Sequence, residues 1–195
     1  MRIVGGEWRG RAIEAPEGRD VTRPTTDRTR ESMASMVLSA FGLDLSEVSV
    51  LDAFAGSGAI GLELLSRGAA RTTFVDRDRG AVARVRRNCQ ALGCERGRFS
   101  VVSGDVCRLA GSGRLAGAPF SLVVLDPPYA MEAARVSELV RDLDAHALLG
   151  GDARILYEHD SRAPGLVVPG FSQVREKSHG TTTFEILSRG DADHE

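Results

Sequence analysis

Residues 50–61 read VLDAFAGSGAIG, an apolar run followed by closely spaced glycines and then by helix-forming residues. The apolar run predicts a buried strand, and glycine allows the tight backbone turn that a strand-to-helix connection needs. Backbone N–H groups at the start of a helix favour an anionic group on a ligand. This stretch therefore predicts a β–α unit of a parallel sheet, with a ligand-binding turn between the strand and the helix.

The alternation of strand and helix patterns continues along the chain, which predicts a parallel sheet covered by helices on both faces. Gly68, Gly93 and Gly150 stand where helix C-caps are expected, whereas residues 102–114 show no regular pattern. The predicted parallel strands cover residues 48–53, 72–76, 99–103, 120–125 and 153–158, and the helices between them cover 59–67, 78–92 and 131–148.

The end of the chain departs from this alternation. Residues 172–177 and 181–187 are two strand-like runs with only three residues between them, which predicts an antiparallel hairpin. The predicted fold is therefore α/β, with a doubly wound, mostly parallel, seven-stranded sheet that ends in this hairpin. We expect an N-terminal arm and helix over residues 1–45 within the same compact unit, the main domain over 46–188, and a frayed tail over 189–195.

A helix is also predicted before the sheet, over residues 29–41. Thr26 or Asp27 is the expected N-cap, and Arg30 and Glu31 are expected on the exposed face. The buried face is predicted from apolar residues at helical spacing, namely Met33, Met36, Val37, Ala40 and Phe41.

Composition limits the possible functions. The chain has 195 residues, of which 42% are hydrophobic and 27% charged, with a net charge of −2. No stretch is as long and apolar as a membrane span, so we expect a soluble, cytoplasmic protein, and nothing requires more than a monomer. The three cysteines and four histidines lack metal-ligand spacing, so neither a disulfide nor a metal site is predicted.

The glycine turn is predicted to bind a cofactor that contains adenosine. Gly56, Gly58 and Gly61 also fit the pattern of nicotinamide and flavin enzymes, and Asp76 stands where a ribose-binding acid is expected. Asp52 favours S-adenosylmethionine, because a carboxylate beside the turn would repel a pyrophosphate but suits an ammonium group. The predicted cofactor residues are Asp52, Phe54, Ala55, Gly56, Ser57, Gly58, Asp76, Arg77, Gly104, Asp105, Val106 and Asp126, with S-adenosylhomocysteine as the product.

The second motif is Asp126-Pro127-Pro128-Tyr129, which follows the apolar run at 120–125. The prolines stiffen the turn and lack N–H donors, so we expect its carbonyls to stay unpaired. A carboxylate, a carbonyl and an aromatic face can hold a planar ring that bears an exocyclic amino group. We expect Asp126 and the Pro127 carbonyl to accept hydrogen bonds from that amine, Asp126 to hold the proton that is lost, and Tyr129 to stack on a base that has left its helix.

Together these motifs resemble those of class I methyltransferases that modify exocyclic amino groups. Trp8-Arg9-Gly10-Arg11 and the block from Arg23 to Glu31 narrow the resemblance to the RsmD-type bacterial 16S ribosomal RNA guanine-N2 methyltransferases. The resemblance extends from Met1 to about Leu187. It implies a Rossmann-like fold and methyl transfer from S-adenosylmethionine to N2 of one guanine in 16S ribosomal RNA, within the small subunit or an assembly intermediate.

The resemblance also implies that the arm contacts RNA. Residues 1–30 contain seven arginines and five acids. Surface ion pairs are an alternative role for the charged residues at the helix start. Ala34 stands where the family usually has Phe, and His179 where it usually has Tyr. We expect these differences to concern local packing or RNA contact and not the chemistry. The candidates for RNA contact are Arg9, Arg11, Arg23, Thr25 and Arg28.

Other functions are compatible with parts of this pattern. A different RNA, adenine in DNA or a glutamine side chain in a release factor also presents an NH2 group to such a turn. A DNA enzyme usually needs a target-recognition domain, for which no residues remain, and the glutamine enzymes usually have Asn at the position of Asp126. A nicotinamide-dependent oxidoreductase would use the glycine turn but not residues 126–129, and a non-enzymatic RNA-binding module would not need Asp126.

Overall fold

The computed structural model describes residues 1–16 and 27–190. Its strands are β1 (Ser49–Asp52), β2 (Arg71–Asp76), β3 (Phe99–Ser103), β4 (Phe120–Leu125), β5 (Leu149–Asp160), β6 (Phe171–His179) and β7 (Thr182–Arg189). Its helices are α1 (Asp27–Ala40), α2 (Ala59–Ser66), α3 (Arg79–Leu92), α4 (Val106–Gly111) and α5 (Ala133–Ala145), and Arg96–Arg98 form a turn of 3-10 helix.

The strands form one mixed sheet in the order β3-β2-β1-β4-β5-β7-β6. Strands β1 to β5 are parallel, whereas β7 runs antiparallel to both β5 and β6. The predicted doubly wound sheet with a C-terminal antiparallel hairpin is therefore confirmed. Strand β1 has β2 on one side and β4 on the other, so the order in which strands are added to the sheet reverses at β1. Parallel sheets bind ligands beside such a point.

Helices cover both faces of the sheet, and apolar side chains alternate between two cores. Val50 packs in the core beneath α1, α2 and α3, whereas its neighbour Leu51 packs in the core beneath α4 and α5. Strands β1 and β4 are buried on both faces, which explains why their sequences read as continuous apolar runs.

One helix was not predicted, and one predicted helix cap was wrong. Residues 106–111 form helix α4, because Asp105 caps it by accepting hydrogen bonds from the N–H groups of Cys107 at 2.9 Å and Arg108 at 3.2 Å. Gly150 is not a helix cap but lies within β5. Helix α5 ends before it, and Ala147 takes the left-handed conformation, with φ of 54°.

Helix α1 buries Met33, Met36 and Val37 as predicted, but the prediction of an exposed Arg30 was wrong. Its guanidinium is buried and donates to the carbonyl of Arg2 at 2.8 Å and to the Asp27 carboxylate at 2.6 Å. Asp27 also accepts from Arg2, and this hydrogen bond holds the pKa of the Asp27 carboxyl below its usual range. Arg30 and Asp27 therefore fasten the start of this helix to the beginning of the chain.

Residues 1–16 are anchored on α2. The N–H groups of Val4 and Gly5 donate to the buried carboxylate of Glu63 at 2.8 and 2.7 Å. Gly6 has a φ of 77°, and a Cβ there would lie 1.9 Å from the Ser66 carbonyl oxygen, so only glycine fits this close approach. The arm contributes Ile3, Trp8 and Ile13 to the core on the face of α1 to α3.

Candidate functional site

A cavity of about 380 Å³ lies at the carboxyl edge of the parallel strands. The glycine turn after β1 and the turn at residues 126–129 after β4 both line it, so the two motifs found in the sequence meet in one place. Every predicted cofactor residue except Gly58 contributes to the lining. The described residues that line it beyond the two predicted sets are Met1, Ala15, Pro16, Ala53, Ala59, Ile60, Cys107, Met131 and Glu158.

The glycines of the turn have different structural roles. Gly56 has a φ of 54°, and no atom lies within 4 Å of the position that a Cβ would take, so the backbone there leaves room for a ligand. Gly58 has a φ of 76°, but a Cβ on it would lie 3.2 Å from a methyl group of Val85. Gly58 therefore allows α2 to start close to α3. It shapes the turn but does not line the cavity.

Two acids hold this turn in place. Asp52 accepts a hydrogen bond from the N–H of Gly61 at 3.1 Å, which joins the end of β1 to α2. Burial raises the pKa of the Asp52 carboxyl to about 7. The hydrogen bond from Gly61 lowers this pKa, whereas the charges of Asp126 and Asp76 raise it. Asp76 accepts from the N–H of Gly56 and from that of Asp78, each at 2.8 Å.

The turn after β4 presents Asp126 to the cavity and Tyr129 to its mouth. Burial raises the pKa of the Asp126 carboxyl to about 6. Tyr129 is 59% exposed. The expectation of unpaired carbonyls was wrong for Pro128, whose carbonyl accepts from the N–H of Met131 at 2.8 Å because the chain turns back on itself there.

Glu158 lines the same cavity, although it was not predicted as a site residue. It follows Tyr157, which is paired with Leu125 across β4 and β5, so Glu158 stands beside Asp126. Burial, and then the charge of Asp126, raise the pKa of the Glu158 carboxyl to about 8. Its position at the end of a predicted parallel strand, at the edge shared with Asp52 and Asp126, is the signal that could have identified it.

Asn88 supports the site from behind and was also missed. Its side-chain amide donates to the carbonyls of Ser57 at 2.9 Å and Glu14 at 3.2 Å, and it accepts from the N–H of Glu14 at 2.7 Å. This buried side chain therefore ties the glycine turn to the N-terminal arm. A single asparagine within a helical pattern gives no sequence signal for such a role.

The predicted RNA-contacting residues lie in different environments. Arg9 and Arg28 are exposed, whereas the guanidinium of Arg11 donates to the carbonyls of Leu92, at 2.7 Å, and Ala91 at the end of α3. Arg11 thus caps a helix, although part of its side chain is exposed. Arg23 and Thr25 lie outside the described residues.

Two residues depart from the family pattern, Ala34 on α1 and His179 at the end of β6. Ala34 is buried in the core beneath α1. His179 is the last residue of β6, and its Nε2 lies 3.2 Å from the hydroxyl of Ser32 on α1. His179 therefore joins the closing hairpin to α1, which is a packing role.

The cysteines and histidines form no further site in residues 1–16 and 27–190. Cys89, Cys94 and Cys107 are free thiols. No group of three or more His, Cys, Asp or Glu side chains in this part of the chain is arranged to hold a metal ion. None of its helices is long and apolar enough to cross a membrane.

Comparison with known proteins places the chain among methyltransferases. Residues 1–188 match the family described as conserved hypothetical protein 95. The chain is 32% identical to the ribosomal RNA small subunit methyltransferase D of Escherichia coli (strain K12) over 97% of this chain and 90% of that protein. It is also 32% identical to the putative rRNA methyltransferase YlbH of Bacillus subtilis (strain 168), over 97% and 99%. A solved structure, titled putative methyltransferase yhhF from Escherichia coli, superposes with a TM-score of 0.77, at 31% identity and 97% coverage of both chains.

Proposed function

The chain belongs to the family described as conserved hypothetical protein 95, the RsmD family, and from this premise we propose that it methylates the exocyclic N2 of one guanine in 16S ribosomal RNA. The observation that carries the proposal is the shared cavity of the glycine turn and the turn at 126–129. A methyl donor held by the first and an amine held by the second would lie next to each other. The names of the relatives from Escherichia coli and Bacillus subtilis support ribosomal RNA as the substrate.

The cavity residues fit S-adenosylmethionine, which supplies a methyl group already activated by its sulfonium. The space beside Gly56 admits a ligand next to backbone N–H groups, which suits the carboxylate of the cofactor. Asp52 would hold the ammonium group, and an ammonium there would favour the ionised form of this carboxyl. Asp76 would accept from the ribose hydroxyls, and residues 104–106 would contact the adenine.

The residues after β4 would hold the base. Asp126 would accept a hydrogen bond from the amine, orient it towards the methyl donor, and hold the proton that the amine loses until water takes it. To take up that proton, Asp126 must be ionised before the transfer. Tyr129, exposed at the cavity mouth, would stack on a base that has left its helix.

The substrate would be 16S ribosomal RNA in the small subunit or in an assembly intermediate, met in the cytoplasm by a monomer of this protein. Arg9 and Arg28 are exposed and would contact phosphates. Such contacts position an RNA without reading its sequence, so the choice of guanine would depend on the cavity and on the shape of the particle.

Methyl transfer from tritiated S-adenosylmethionine to small ribosomal subunits, purified from cells that lack this protein, tests the proposal. We expect incorporation by the wild type, N2-methylguanosine in the digested 16S RNA, and a loss of about 100-fold or more in Asp126→Ala. Asp152→Ala, at an exposed acid near the other end of β5, is the matched control and should retain full activity. Calorimetry should show that Asp126→Ala still binds S-adenosylmethionine.

Two outcomes would reject the proposal. The first is unchanged incorporation by Asp126→Ala, which would remove the role of the turn after β4. The second is measurable affinity for NADH together with none for S-adenosylmethionine, which would indicate an oxidoreductase that uses the same glycine turn.

A further inference from the structure

Two carboxyl groups stand side by side in the wall of the cavity. Leu125 of β4 is paired with Tyr157 of β5 in a parallel register, so the residues that follow them, Asp126 just after β4 and Glu158 within β5, are neighbours. Both line the cavity. On the other side of Glu158, β7 places the apolar side chain of Phe184 in the paired position.

One oxygen of Glu158 has no partner within the described residues. Oε2 is buried and makes no hydrogen bond with any of them. Buried polar atoms are nearly always hydrogen-bonded in native proteins, and exceptions tend to mark functional positions. An unpaired carboxyl oxygen in the wall of a cavity therefore indicates a polar group on the ligand that fills it.

The pair should hold one proton at neutral pH, because two adjacent carboxylates repel each other in a buried site. The pKa values of about 6 for Asp126 and about 8 for Glu158 agree with this, with burial as the main cause for both. The other ionisable groups that line the cavity are Asp52, Asp76, Arg77, Asp105, Cys107, Tyr129 and the amino terminus at Met1. At pH 7 the pair therefore offers one acceptor and one O–H donor, and the apolar Phe184 beside Glu158 favours Glu158 as the protonated member.

We propose that Glu158, as a neutral carboxylic acid, donates a hydrogen bond to N3 of guanine, beside the amine that Asp126 holds. This inference rests on the proposed function. In guanine the N2 amine is a donor and the adjacent N3 is an acceptor. A carboxylate beside a carboxylic acid offers the complementary acceptor and donor in the same order. Glu158 thereby recognises the base and turns its amine into the orientation for transfer.

The test is the pH dependence of methyl transfer to small subunits between pH 6.5 and 9. For the wild type we expect kcat/KM to fall by about tenfold as Glu158 loses its proton above pH 8, because the donor disappears and a second charge appears. Glu158→Gln keeps a donor at every pH and should retain its activity at pH 9. Glu158→Ala should be about tenfold less active at neutral pH.

Matched controls separate this role from a structural one. Glu47→Gln changes an exposed glutamate far from the cavity and should keep the wild-type pH profile. Glu158→Gln should bind S-adenosylmethionine as the wild type does in calorimetry, because the proposed contact is with the base.

Parallel pH profiles for the wild type and Glu158→Gln would overturn the inference, as would equal losses in Glu158→Gln and Glu158→Ala. Either result, obtained with an active wild type, leaves the proposed function in place. A wild type that transfers no methyl group at any pH rejects the proposed function, and the role of Glu158 falls with it.

Discussion

The backbone N–H of Gly56 donates a hydrogen bond to the carboxylate of Asp76 over 2.8 Å, so the acid at the end of β2 fixes the turn at the end of β1. The other oxygen of Asp76 accepts from the N–H of Asp78. Asp76 also lines the cavity. It therefore shapes the glycine turn and faces the cavity at the same time.

Asp76→Ala should weaken the binding of S-adenosylmethionine by about 10- to 100-fold, because hydrogen bonds to a charged group contribute about 1.5–3 kcal/mol. Asp76→Asn should lose less, since it keeps one acceptor. Calorimetry measures the affinity, with Asp152→Ala as the control. Binding by Asp76→Ala within twofold of the wild type would contradict the proposed ribose contact.

Gly61→Ala should destabilise the fold by about 1–3 kcal/mol, because small-to-large changes in a packed core force displacement. A Cβ at this position would lie 2.4 Å from the Phe74 ring and 2.9 Å from the Asp52 carboxylate. Urea denaturation measures the free energy of unfolding. Gly97→Ala is the matched control, because a Cβ there has no atom within 4 Å, and its effect should stay within about 0.5 kcal/mol. Equal stabilities of the two variants would contradict this account.

Glu63→Ala should destabilise the protein by about 3 kcal/mol, since it leaves Arg67 without its partner and removes the acceptor of two arm N–H groups. We expect the arm to become the first site of limited proteolysis. Glu138→Ala removes an exposed acid paired with Arg135 and should leave the free energy of unfolding unchanged. An arm that stays protected in Glu63→Ala would show that its apolar residues are a sufficient anchor.

The sheet and the cavity were predictable because they follow from local patterns. An apolar run of strand length followed by Gly56 or by Pro127 marks a strand that ends in a turn, and parallel strands bring such turns to one edge. Pairwise contacts between distant segments were not predictable. Arg30 is charged, as exposed helix residues usually are, and only its hydrogen bond to the Arg2 carbonyl explains its burial.

The same limit applies to the site. Glu158 is an ordinary strand-end acid in the sequence, and its importance comes from the register that places it beside Asp126. Asn88 becomes important only because α3 lies behind the glycine turn. The helix α4 was missed because its six residues are too short for a periodic pattern, although Asp105 is a recognisable N-cap.

The stability of the protein should fall as the pH rises from about 4 to 8. Burial raises the carboxyl pKa values of Asp52 to about 7 from 3.8, of Asp126 to about 6 from 3.8 and of Glu158 to about 8 from 4.5. In this range the unfolded chain ionises these groups before the folded protein does, so the folded state holds more protons and loses stability with rising pH. Urea denaturation at pH 5, 6.5 and 8 measures the slope.

Asp52→Asn isolates the contribution of one carboxyl to that slope. An asparagine carbonyl can still accept from the N–H of Gly61, so the link between β1 and α2 is kept. The variant should gain on the order of 2–4 kcal/mol relative to the wild type between pH 5 and pH 8, because it has no charge to bury. Parallel slopes for the two proteins would mean that Asp52 is ionised in the folded state throughout this range.

Arg9 and Arg11 should differ although both are arginines of the same arm. Arg11→Ala removes the cap on the carbonyls of Ala91 and Leu92 and should lower the free energy of unfolding by about 1 kcal/mol. Arg9→Ala changes an exposed side chain and should leave stability unchanged.

If Arg9 contacts a phosphate, the same change should weaken binding to small subunits and reduce the slope of log affinity against log salt by about 1. Unfolding curves and filter binding at several salt concentrations measure both quantities. An unchanged salt slope in Arg9→Ala would reject the phosphate contact, and a stability loss as large as that of Arg11→Ala would show that Arg9 has a structural role.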